Sequence, residues 1–79
     1  MKVEVQLKYD GFLEPPRLLT FPRIMDGLTE RVKSVYYQGG FCVLFIDRFG
    51  NGKLHSPVSS FKIAIPATEI SQVMTDEEG

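Results

Sequence analysis

The stretch Val32-Lys33-Ser34-Val35-Tyr36-Tyr37-Gln38-Gly39-Gly40-Phe41-Cys42-Val43-Leu44-Phe45-Ile46 decides the fold. β-Branched and aromatic residues crowd both sides of Gly39-Gly40, and such side chains suit a pleated, half-buried surface. Two adjacent glycines supply the positive φ that a tight turn demands. Strand, turn, strand is therefore the natural reading. A helical pattern competes with it: Ile24, Leu28, Val32, Val35 and Tyr36 fall near helical spacing, with Asp26 placed to cap and Gly39 to stop. The hairpin is preferred, because Val32–Tyr37 runs directly into the glycine pair and then into a second apolar run. That run, Phe41–Ile46, lacks alternation, which predicts a central strand covered on both faces.

Upstream, Val3, Val5, Leu7 and Tyr9 alternate with Lys2, Glu4, Gln6 and Lys8. Period two predicts a strand with one buried and one wet face, ended by Asp10-Gly11. Pro15-Pro16 excludes helix in the next segment, since the residue before each proline is pushed out of the α region. Phe12–Ile24 reads as extended chain at a sheet edge, because Pro22 has no N–H to give a ladder.

Downstream, Asn51-Gly52 predicts a two-residue hairpin turn, with Lys53-Leu54-His55-Ser56 as the return strand up to Pro57. Phe61, Ile63 and Ile65 then alternate with Lys62 and Ala64 in a further strand ending at Pro66. Ala67–Val73 fits either a short helical turn or a last short strand, with Ile70 and Val73 reaching inward. The expectation is a mostly β domain over 1–74, a small antiparallel barrel or curled sheet of about five to six short strands, SH3-like or OB-like, with one short helical turn admitted. The acidic stretch 75–79 reads as a frayed tail.

At 79 residues the chain is one small domain, and a core of this size supplies only about 3–5 kcal/mol. One cysteine, Cys42, permits no internal disulfide, and one cysteine with one histidine cannot build a structural zinc site. Association with itself or a partner is the remaining route to added stability. The hydrophobic share of 43% argues against disorder. The net charge of −1, with nine scattered basic residues, removes the simplest case for nucleic acid. No secretory signal pattern is present, and the longest apolar run falls far short of the ~20 residues a spanning helix needs. A free thiol fits a reducing, cytoplasmic location.

No catalytic constellation emerges, so the chain reads as non-enzymatic, with no cofactor and no metal. His55 and Ser56 are adjacent, and adjacent strand residues point to opposite faces. Cys42 sits in an apolar run, where a thiol is inert. Asp10, Asp26 and Asp47 stand at turns, where aspartate bonds its own backbone. Gly50-Asn51-Gly52-Lys53 lacks phosphate-loop spacing and a following helix.

Binding is the function class left. Tyr36, Tyr37, Arg48, Phe49, Asn51 and Lys53 form the expected contact surface, around the aromatic-flanked turn. The leading expectation is an interaction module that binds another protein, as adaptor or regulator, with no membrane role. The alternative is a nucleic-acid-binding barrel using the same aromatics with Arg48, Lys53 and Arg31, since bases stack on exposed rings. A second alternative is an accessory subunit of a larger enzyme. Gly39–Ile46 resembles the RNP1 signature of RNA-recognition motifs in outline, but it lacks the leading basic residue and aromatics at two positions. That family also needs helices where this chain has Pro15-Pro16 and Gly50-Asn51-Gly52, so membership is rejected. Most of the nine aromatics are expected in the core.

Overall fold

The computed structural model describes residues 2–8, 17–50 and 55–76. These form β1 (Lys2–Leu7), β2 (Leu18–Phe21), β3 (Arg23–Met25), β4 (Leu28–Gln38), β5 (Phe41–Phe49), β6 (Ser59–Pro66), a 3₁₀ turn (Ala67–Glu69) and β7 (Ile70–Asp76). The fold is mostly β, a small barrel-like arrangement of two antiparallel sheets, ordered β2-β1-β7 and β3-β4-β5-β6. The Leu28–Tyr37 ambiguity resolves as strand: β4 and β5 are joined at Gly39 and Gly40, which have φ of 59° and 80°. No described helix is long and apolar enough to cross a membrane.

The chain passes between the sheets twice, each time at a proline. Pro22, preceded by a cis peptide bond, separates β2 at the edge of one sheet from β3 at the edge of the other. Pro66 ends β6 before the 3₁₀ turn leads into β7. The expected edge position of the Pro22 segment is thus observed, whereas Phe12 and the Asn51-Gly52 turn lie outside the described residues.

Core placement follows from register. On β5, Cys42, Leu44 and Ile46 face inward, opposite Ile65, Ile63 and Phe61 of β6. Val3 and Val5 of β1 face them from the other sheet, with Phe21 and Leu19 of β2 as cross-strand neighbours. The β4–β5 pairing slips between Val32 and Ser34, leaving Lys33 as the extra residue of a β-bulge. That slip exchanges the faces: Glu30 and Val32 point inward before it, Val35 and Tyr37 after it. A similar slip at Ser71 lets both Ile70 and Val73 pack on the core.

Two expectations need correction. The return strand at Lys53–Ser56 is not formed at its described residues: His55 and Ser56 are exposed in a bend, and β6 begins at Ser59. Register is set instead by Phe61, Ile63 and Ile65 against the inward face of β5. Nor do most of the described aromatics lie in the core: Phe21 belongs to the buried cluster, Phe61 packs partly against it and Phe49 is 8% exposed, while Tyr9 and Phe12 lie outside the described residues. Thr75 and Asp76 belong to β7, paired with Val3 and Lys2.

Candidate binding surface

Two rows of side chains on the four-stranded sheet carry chemistry, one on each face. The inward row runs Arg23, Glu30, Arg48 across β3, β4 and β5, each residue directly opposite the next. Glu30 is 1% exposed, the only buried charged or polar side chain among the described residues. Arg23 Nε donates to Oε1 at 2.7 Å and Arg48 Nε to Oε2 at 2.8 Å. Each guanidinium also covers a ring: Arg23 lies 4.6 Å from the centroid of Phe21, and Arg48 lies 4.3 Å from that of Phe61. Burial pushes the Glu30 carboxyl up, but the two arginine hydrogen bonds and charges outweigh it and hold it below its usual range. This belt fixes strand register at one end of the core, and with Glu30 1% exposed and each carboxylate oxygen held by an arginine its role is structural.

The outward face is different. Register places Phe41, Val43, Phe45, Asp47 and Phe49 of β5 there, opposite Gln38, Tyr36, Ser34, Arg31 and Thr29 of β4. Lys62 and Ala64 of β6 continue the rows from Phe45 and Val43. Val43 and Phe49 are only 7% and 8% exposed although neither belongs to the core cluster. Phe41 is 43% and Ile24, beside Thr29, 75% exposed. Lys33, the bulge residue, brings Nζ to 5.5 Å from the Phe45 centroid, and Lys62 brings its own to 5.8 Å. Arg31 adds a third cation, against the single carboxylate among the described residues of this face, Asp47, which accepts from Ser60 Oγ at 2.6 Å. The surface is an aromatic and aliphatic strip bordered by positive charge.

The expected contact residues are thereby divided. Tyr36 and Phe49 share the outward face with Arg31, but Phe49 is buried rather than presented. Tyr37 stands on the opposite face at the strand end, 65% exposed. Arg48 faces inward and is held by Glu30. Asn51 and Lys53 lie outside the described residues. Lys33, Lys62 and Phe45 were the residues missed. Once the glycine turn pairs Tyr36 with Val43, strand parity alone brings Phe45 to the same face.

Cys42 is fully buried. Burial raises its pKa, and the neighbouring Tyr37 hydroxyl counteracts this only in part. The thiol is expected to resist a thiol reagent at neutral pH in the native protein and to react at the rate of unfolding. Rapid stoichiometric labelling without denaturant would contradict that assignment. Among the described residues no group of three His, Cys, Asp or Glu side chains gathers into a metal-binding cluster. No family model matches the chain, and neither curated proteins nor solved structures give a significant match.

Proposed function

We propose that this domain is a non-catalytic interaction module that binds another protein through the outward face of its four-stranded sheet. The observation that carries the reading is the strip Tyr36, Phe41 and Phe45 around the buried Val43, largely apolar although it lies on the side of the sheet away from the core cluster. Contiguous exposed apolar surface rimmed by polar groups marks interaction sites. Aromatic anchors surrounded by a charged rim are the usual anatomy of such surfaces. Among the described residues of this face, three cations against one carboxylate favour a partner segment that is apolar with acidic flanks.

A second reading is favoured by one feature, the two lysines on either side of the Phe45 ring. That arrangement suits single-stranded nucleic acid, which stacks on rings and pairs its phosphates with cations. The overall charge of −1 weighs against it.

The test is native co-purification of tagged wild type and the Phe41→Ala/Phe45→Ala variant, both checked for folding by circular dichroism. The expected result is a protein partner retained in high salt and lost with the variant. Capture that disappears with nuclease or moderate salt would overturn the protein reading in favour of nucleic acid, because counterion release makes phosphate binding steeply salt-dependent. Equal capture by both forms would remove the outward face from either role.

A further inference from the structure

We propose that the free edge of β6 is a self-association surface, on which a second copy of the chain adds its own β6 antiparallel, about a two-fold axis at Ile63. This goes beyond the reading above and does not depend on it.

The four sheet edges are unequal. β2 has four residues and β3 three, and Pro22 stands between them. β7 is interrupted by its slip at Ser71 and ends in Asp76. Such short or irregular edges resist pairing. β6 runs eight residues, Ser59–Pro66, with unbroken register against β5 and no strand on its other side among the described residues. Its one charged residue, Lys62, is drawn back over its own sheet, with Nζ near the Phe45 ring. Pro66, the other usual edge guard, stands at the last position.

The hydrogen-bond phase of this edge can be read from one contact. Ala67 N donates to Gly40 O at 2.9 Å, continuing the β5–β6 ladder beyond Phe41 and Pro66. Bonded pairs alternate in an antiparallel ladder, so Ile65, Ile63 and Phe61 direct their backbone groups to β5. The N–H and C=O groups of Ser60, Lys62 and Ala64 therefore point outward, with the C=O of Pro66.

Three registers keep like faces together near the middle of the strand. Centring on Lys62 places the two lysines opposite each other, which is repulsive. Centring on Ala64 sets Lys62 against Pro66, whose missing N–H removes bonds next to the axis, whereas centring on Ile63 confines that loss to the terminal pair of Ser60 with Pro66. Centring on Ile63 pairs Lys62 with Ala64 of the second copy through mutual backbone bonds and sets Phe61 against Ile65 on the inner side. Phe61 and Ile63 are only half-buried at this edge although both pack on the core. A second β6 covers them, extends the core across the axis and joins the two outward faces into one surface. Self-complementarity of this kind is what a two-fold interface requires.

Sedimentation velocity from low micromolar to near-millimolar protein is the first measurement, with a concentration-dependent dimer expected. Ala64 is exposed on the outward face, so it can be changed without touching the core. Ala64→Glu places a carboxylate opposite Lys62 of the second copy and is expected to tighten the dimer. Ala64→Lys is expected to weaken it about tenfold, since two symmetric like-charge pairs form. Ile63→Cys supplies an independent check. A residue on the axis, in a non-bonded pair, sits about 4.5 Å from its equivalent between Cα atoms, within the ~4.4–6.8 Å of a disulfide. Mild oxidation should therefore link Ile63→Cys chains, with buried Cys42 silent, and should not link Lys33→Cys chains. A protein that stays monomeric throughout, or a dimer indifferent to both Ala64 charges and not trapped through position 63, would overturn the proposal.

Discussion

Phe21→Ala is expected to leave the domain largely unfolded at room temperature. Phe21 is fully buried and is the largest side chain to be so among the described residues. It stands where the chain leaves β2 for β3, directly opposite Val3, so its ring fills the space in which the two sheets meet. Arg23 rests on that ring, which ties the core to the Glu30 belt. Truncating a buried phenylalanine costs about 3–5 kcal/mol, comparable to the ~3–5 kcal/mol that a core of this size provides. Phe41→Ala is the control: its ring is on the outward face, and the loss should stay below about 1 kcal/mol. Urea unfolding followed by circular dichroism separates the two. A cooperative transition for Phe21→Ala within about 1 kcal/mol of wild type would show that the sheets do not share one core.

Glu30→Ala is expected to cost about 2–3 kcal/mol. Removing one member of a buried ion pair costs about 3–5 kcal/mol when the survivor stays buried. Here the survivors are two arginine side chains 29% and 42% exposed, which can turn to water, so the smaller figure applies. Glu30→Gln keeps the shape and one acceptor oxygen, so it retains one of the two arginine bonds and should lose somewhat less. The pH dependence gives an independent signature. Burial acts to raise the Glu30 pKa, the arginines together lower it by more, and the folded value lies below the ordinary 4.5. A depressed carboxyl pKa means the contribution is complete above the unfolded value and is lost as pH falls through the folded one. Wild type should therefore lose stability below about pH 4.5 more steeply than Glu30→Ala. Parallel acid limbs for the two proteins would show that the pair does not set the acid stability.

How much of this was legible from the residues depended on whether one strand kept one phase. The β1 alternation and the Phe61, Ile63, Ile65 alternation both translate directly into buried and exposed faces. β4 does not keep one phase, because the bulge at Lys33 makes its inward positions Leu28, Glu30, Val32, then Val35. The three-residue step from Val32 to Val35 is what imitated a helix. Glu30 lies in phase with Leu28 and Val32, and a carboxylate in an apolar phase is itself a signal that cations must meet it inside. Its partners could not be found the same way, since Arg23 and Arg48 lie on two other strands whose registers a sequence does not print. The outward strip was half visible for a related reason. The aromatics of β5 were conspicuous, but which of them met Lys33 and Lys62 depended on a slip of one residue.

The position of β1 has a consequence for synthesis. It is the middle strand of its sheet, paired on one side with β2 and on the other with β7, so that Lys2 meets Asp76. At about 5–20 residues per second, roughly 4–15 seconds separate the appearance of these two partners as the chain is made. The β4–β5 hairpin needs only a local closure and can form in that interval, while β1 waits with one side unsatisfied. A nascent chain halted before residue 70 would carry nearly all of the apolar residues and none of the strand that seals them. Ile70–Asp76 therefore act as the latch of the domain, and a pause in translation just before they are made is where quality control would find it most exposed.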